Sequence, residues 1–240
     1  MKSPLIVPFF IISLISFSGI AAQSQFSGWV ASFHSFKTGK QTSIHADVQM
    51  RSSDKIKELQ TLLLRSGLNF HLNKKITVTT GYAFIRNRKL LANQVAHTPE
   101  HRIWQQFLYS HKIKTIRLSH RFRIEQRFIS RTRVSGNPVG EKGYANRFRY
   151  FTRNILPFQN AATFDKGIFA ALQNEVFLNF GNTDDVNGKI FDQNRLYGAI
   201  GYRISPKHDL EIGYMNQYVS GKGDQFTNNH IIQLAGYFRL

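Results

Sequence analysis

Two rows of guanidinium groups dominate the chemistry open to this chain. In the stretch 115–129 the odd positions read Arg117, Ser119, Arg121, Arg123, Glu125 and Arg127, and in 144–156 Arg147, Arg149 and Arg153 share one parity. Arg195 and Arg203 do the same in 195–204, while Asp47, Glu125, Glu175 and Glu211 fall on the polar parity of their own segments. A guanidinium is a permanent cation with a planar fork of donors. It can bind a carboxylate or phosphate bidentately, or serve as a fixed positive lining that lowers the barrier for a passing anion. Together these residues form either an anion-selective surface or a salt-bridged network that seals the space between them. The sequence leaves both open.

Other chemistries are weakly supported. Cysteine is absent, which removes disulfides, thiolate metal sites and thiol nucleophiles together. None of the nine histidines stands at a metal-specifying spacing from another ligand; His97 and His101 lie in or beside a polar stretch where solvation explains them. His120 sits on the apolar parity with Gln126, whereas Ser119 beside it has the opposite parity. No G-x-S-x-G elbow occurs, so a serine hydrolase acting on lipid has little to stand on. No catalytic residue, metal or cofactor is expected, and the chain reads as a non-enzyme.

The arginines must be positioned by strands. Against the odd positions of 115–129 stand Ile116, Leu118, Phe122, Ile124 and Phe128, an alternation longer than the roughly 5–6 residues of an ordinary globular strand. A row of cations on one face and oil on the other needs water or counter-charge on one side and lipid on the other. That is the pattern of a transmembrane barrel. Similar alternation marks 25–36, 41–51, 60–72, 76–84, 101–110, 144–156, 167–180, 195–204, 210–218 and 232–240. Short turns alternate with longer polar stretches at 86–100, 132–143, 181–189 and 220–229, which read as loops. The outward parity collects Tyr82, Tyr109, Tyr150, Tyr202, Tyr214 and Tyr218, as an interfacial aromatic girdle would. The expected fold is all-β: a single transmembrane antiparallel β-barrel of ten or twelve strands. The count of eleven segments leaves the role of 25–36 open.

Residues 1–22 carry one cation, Lys2, an apolar run from Leu5 to Ile15 and then small residues, the layout of a cleaved signal peptide; 23–240 would be the barrel domain. With 32 Lys and Arg against 14 Asp and Glu the formal charge is +18, but export argues against nucleic acid as the partner. Outer-membrane lipids, lipopolysaccharide phosphates near Arg86, Arg88, Lys89 and Lys142, and small anionic solutes fit better. The mean hydropathy of -0.30 disfavours helical bundles and not barrels, whose hydrophobicity hides in alternation. The last strand, with Ile232, Leu234, Gly236, Phe238 and Leu240 alternating to the end, resembles the C-terminal signal read by the barrel-assembly machinery, with leucine where an aromatic is common.

One set of residues extends this reading: His101-Arg102-Ile103-Trp104-Gln105-Gln106, the run from Arg121 to Phe128, the run from Arg147 to Tyr150, Glu175 with Phe177 and Asn179, Gln193-Asn194-Arg195, and Gly213-Tyr214. In order and spacing it resembles the envelope proteins grouped as domain-of-unknown-function family 2490, over nearly the whole mature chain. The resemblance implies an integral bacterial outer-membrane β-barrel and carries no catalytic residues over. The expected function is a narrow channel or solute-handling barrel with an arginine-lined, anion-preferring lumen. The alternatives are a structural or surface-interaction barrel with a sealed lumen and active loops, and, third, a lipid-acting enzyme.

Overall fold

The computed structural model describes residues 22–91, 93–135, 137–159 and 163–240. The expected signal peptide, 1–22, lies outside them apart from Ala22. The strands in chain order are β1 (Ala22–Lys37), β2 (Thr42–Ser52), β3 (Leu59–His71), β4 (Ile76–Leu91), β5 (Gln94–Ile113), β6 (Ile116–Ile129), β7 (Thr132–Val134), β8 (Asn137–Val139), β9 (Gly143–Pro157), β10 (Gly167–Phe180), β11 (Phe191–Ser205), β12 (His208–Ser220) and β13 (Phe226–Arg239). β7 and β8 form a small hairpin on the flank of β5. The other eleven form a closed barrel in which each strand is paired on both sides, so no strand edge is left open among the described residues.

Neighbours around the wall are antiparallel except at one seam. β1 pairs in parallel with β13, from Ala22 opposite Phe226 to Ser35 opposite Arg239. Leu240 finishes the seam: its N donates to Ser35 O at 2.7 Å, and Lys37 N donates to Leu240 O at 2.8 Å. The ten or twelve strands expected from the sequence are therefore corrected to eleven. When each strand reverses the one before it, an odd number brings the first and last in the same direction, and only a parallel pairing closes the cylinder. Segment 25–36 is a wall strand, part of β1.

Three expected loops are also corrected. Residues 86–100 are the tip of the β4–β5 hairpin, paired from Ile76 opposite Tyr109 up to Leu91 opposite Gln94. They show no hydrophobic period because their buried parity carries small and polar residues, Ala96, Thr98 and Glu100, so the two faces differ in burial but not in hydropathy. The stretch 132–143 contains β7 and β8, and 220–229 shrinks to a five-residue turn before β13 begins at Phe226.

The outward faces of the strands are apolar. Ile124, Leu172, Ile200, Ile212 and Leu234 are 41–56% exposed, while their inward neighbours Glu125, Ala171, Ala199, Glu211 and Ala235 are buried. Inside, one half of the cylinder holds a packed cluster of Trp29, Ile155, Phe169, Ala171, Tyr197 and Met215, against which Phe164 of the β9–β10 connection packs. Across the lumen Trp104 is 1% exposed and lies over two glycines that face each other on β3 and β4, Gly67 and Gly81. A Cβ on Gly81 would stand 2.5 Å from the indole and 2.2 Å from the Ser66 carbonyl oxygen; one on Gly67 would stand 2.8 Å from the indole. Absence of a side chain at these two positions makes the bed on which Trp104 rests.

Candidate functional site in the barrel lumen

β6 and β9 are adjacent, and their register sets Glu125 opposite Arg147, Arg123 opposite Arg149 and Ser119 opposite Arg153. Cations directly opposite one another repel, and the carboxylates resolve this diagonally. Glu125 accepts from Arg149 Nη1 at 2.5 Å and from Arg147 Nη2 and Nε at 2.7 and 3.1 Å. Glu175 on β10 takes Arg149 at 2.7 Å and Arg121 at 2.6 Å through one oxygen. Glu211 pairs with Arg153, and Asp209 with Arg203 at 2.7 Å and Arg239 at 2.6 Å. Asp47 accepts from His45 at 2.9 Å and lies 3.6 Å from Arg65. Glu100 receives Arg127 at 2.6 Å and Arg102 at 2.7 Å. Bidentate, shared contacts of this kind let buried charges persist where isolated ones would not.

The remaining arginines are treated differently. Arg123 donates to the neutral Gln106 at 2.6 and 3.1 Å, lies 4.4 Å above Trp104, and comes no nearer than 3.8 Å to Glu125. Arg117 is exposed at the lumen mouth, and among the described residues it has no carboxylate within 4.0 Å; the same holds for Arg51 and Arg195. Arg51 donates to Gln49 Oε1 at 2.7 Å, and its buried Nε has no partner. Arg51 and Arg195 both lie against the ring of Trp29, 4.0 and 5.1 Å from its centroid, and Arg195 is also 4.7 Å from Phe177. A cation over an indole face is favourable but stays a cation.

Several members of this network are absent from the set read from sequence. Arg51, Arg65 and Asp209 share parity with Gln49, Asn69 and Glu211, so the alternation could have found them. Glu100 is hidden by the loop reading of 86–100, whereas Arg102, in the strand segment 101–110, takes the parity opposite Ile103 and Phe107 and could have been found. Asp192 breaks parity: the register between β10 and β11 slips between Phe177 and Leu178, a β-bulge that turns both Asp192 and Gln193 inward. Asp192 thereby meets Arg147 at 2.8 Å, two strands away.

The open space in the lumen falls into two cavities. The larger, about 1000 Å³, runs from the rim residues Lys74, Lys75 and Lys112 to mid-barrel, and Glu175 is the only carboxylate on its wall among the described residues. The smaller, about 390 Å³, fills the opposite half and includes Glu100 and Asp192. Trp29, Arg51, Arg65, Arg149 and Arg195 line both, so these five residues form the waist between them.

The outer surface holds the histidines that the sequence raised. His120 Nδ1 is 3.0 Å from the Tyr150 hydroxyl, while Ser119 points the other way and is 3.0 Å from Ser110. His101 pairs with the Tyr82 hydroxyl at 2.5 Å, and His97 stands opposite Arg133 of β7. Arg88 of the proposed lipopolysaccharide-facing cations forms an ion pair with Glu58. On β13, Ile232 and Leu234 face outward and are exposed.

The chain belongs to the family described as protein of unknown function (DUF2490), whose model matches residues 26–228. It is 26% identical over 195 residues to an uncharacterized protein of Methylorubrum extorquens, MexAM1_META1p0181, a match covering 81% of this chain and 79% of that protein. Among solved structures it is similar to the NanC porin, with a TM-score of 0.50 and 13% sequence identity, over 89% of this chain and 98% of the porin. At that identity the likeness is one of fold.

Proposed function

We propose that this DUF2490 member is an outer-membrane barrel that handles small anions, as a narrow channel or a one-sided receptor with an arginine-lined lumen. Membrane placement is supported by the apolar outward belt and by the porin-like fold. The observation that carries the anion preference is the waist. Where the two cavities meet, Arg51 and Arg195 lie on the shared ring of Trp29 with no ion pair of their own among the described residues, and Glu175, opposite Arg195 in the register, is already engaged by Arg121 and Arg149. An anion crossing or stopping there meets fixed positive charge inside low-dielectric walls, where the attraction is strongest.

A second reading has its own observation. The ion pairs centred on Glu125 and Glu175 cross-link β6, β9 and β10 through the lumen and suit a sealed barrel whose rims do the work. Single-channel recording of the refolded protein in a planar bilayer, with selectivity taken from the reversal potential in a salt gradient, separates the two. Anion-preferring conductance that reverses in Arg121→Glu supports the channel; a folded barrel without conductance supports the sealed form. We read the protein as non-catalytic, since His120 and Ser119 lie on opposite faces of β6. Hydrolysis of phospholipid by the intact protein, abolished by His120→Ala, would overturn that.

A further inference from the structure

The larger cavity has two chemically different walls. One carries cations, with Lys74, Lys75, Arg65 and Arg121 drawn from β3, β6 and the turn between β3 and β4. The other carries Phe33, Phe151, Ile155, Met215 and Tyr237, from β1, β9, β12 and β13, interleaved with arginines: Arg121 lies 4.2 Å from the Phe151 centroid and Arg153 4.9 Å from that of Tyr237. Phe33 and Tyr237 stack with their centroids 4.9 Å apart and their planes 13° from parallel, and both are only half-buried, unlike the Phe169, Ala171 and Ile231 core behind them. At the inner end lie Arg51 and Arg195 on Trp29, with the Arg51 Nε donor unpartnered. Arg195 has a neutral neighbour: with its amide turned to suit, the Gln217 oxygen accepts from Arg195 Nη2 at 3.1 Å and Nε at 3.2 Å.

Water alone has no use for the apolar wall, and a monatomic or tetrahedral inorganic ion would leave it wet. At about 1000 Å³ the space is also many times the roughly 30 Å³ of one water. Aromatic carbon interleaved with guanidinium groups is complementary to a solute that has both parts. We infer that the larger cavity is a binding site for an organic anion, whose carboxylate or phosphate head lies at the Arg51–Arg195 waist and whose apolar body lies against Phe33 and Tyr237. This deepens the anion-handling reading by naming the solute class, and it stands or falls separately from conduction.

The test is calorimetric titration of the refolded protein in an uncharged detergent with isophthalate, phenyl phosphate, sulfate and isophthalamide. These probes offer body with carboxylate, body with phosphate, charge without body, and body without charge. Saturable binding of isophthalate or phenyl phosphate, at least ~tenfold tighter than both other probes, is expected; the tighter of the two identifies the head. The Arg51→Gln/Arg195→Gln pair should weaken the charged aromatic probes and leave isophthalamide unchanged. Phe33→Ser, on the other wall, supplies an independent measure if that pair does not fold. Sulfate binding as tightly as isophthalate overturns the organic body, and isophthalamide doing so overturns the anionic head. No saturable binding to folded protein overturns the site even if anion-selective conductance is seen, whereas saturable binding without conductance keeps the site and removes the channel.

Discussion

Glu125 Oε1 lies 2.5 Å from Arg149 Nη1 in the middle of the barrel, and the other oxygen of the same carboxylate holds Arg147 at 2.7 Å. Both side-chain partners are buried, so the pair matters less for what it adds than for what its loss leaves behind. Replacing one partner of a buried ion pair typically costs about 3–5 kcal/mol, because an uncompensated charge remains. Glu125→Gln is expected to lower the unfolding free energy by about 3 kcal/mol in this way. Urea titration in detergent, followed by loss of the compact form on unheated gels, measures it. An unchanged midpoint would mean that the arginines of β9 are satisfied by water.

The waist arginines form no direct ion pair among the described residues, and Glu175, opposite Arg195, is held by Arg121 and Arg149. Arg51→Gln/Arg195→Gln is expected to shift the unfolding midpoint less than Glu125→Gln does and to lower the anion-over-cation permeability ratio. At an effective dielectric near 20 one charge about 6 Å from a passing ion is worth about 2.8 kcal/mol, so the ratio should fall by at least ~tenfold. Arg127→Gln, whose partner Glu100 lines the smaller cavity, should change the ratio much less. Equal effects from the two sites would place the selectivity elsewhere.

The bed of Trp104 is sensitive to one methyl group. Gly81→Ala puts a Cβ 2.2 Å from the Ser66 carbonyl oxygen, which cannot move without breaking the β3–β4 register, and 2.5 Å from the indole. Overpacking of this kind costs about 1–3 kcal/mol. The same variant should shift the emission of Trp104, read in a Trp29→Phe background. Emission at the parental wavelength would show that the ring does not rest where the glycines leave room.

The parallel seam can be tested cleanly because the chain has no cysteine. Val30 and Leu234 are register partners across β1 and β13, and both face outward. Cysteines at these two positions should be bridged by dibromobimane, which fluoresces on double reaction, while Val30 and Ile200 as cysteines should not be. A further strand inserted at the seam would separate the first pair by ~9–10 Å and abolish bridging.

How much of this is legible in the chain alone depends on how local the information is. Alternation is a property of the pleat of one strand, so the parity of 115–129 is enough to put Arg121 and Arg123 on one side and Phe122 and Ile124 on the other. The same reasoning assigns Glu175 and Glu211 to the interior and the tyrosines to the outside. Parity fails where the backbone departs from a regular pleat, as at Asp192, or where the buried face is itself small and polar, as at Ala96, Thr98 and Glu100.

Sequence by itself thus determined that this is a barrel, which residues line its lumen over most of the strands, and that those residues are mainly arginine. Only the tertiary structure decided that eleven strands close through a parallel seam, because closure depends on how the first and last strands meet and no single strand records it. It also decided which arginines the few carboxylates neutralise. Glu125, on β6, reaches Arg147 and Arg149 of β9, and Asp192 reaches across β10, whereas among the described residues Arg51 and Arg195 form no direct ion pair. Strand number, stagger and one bulge set those distances across the lumen, and therefore where uncancelled positive charge remains.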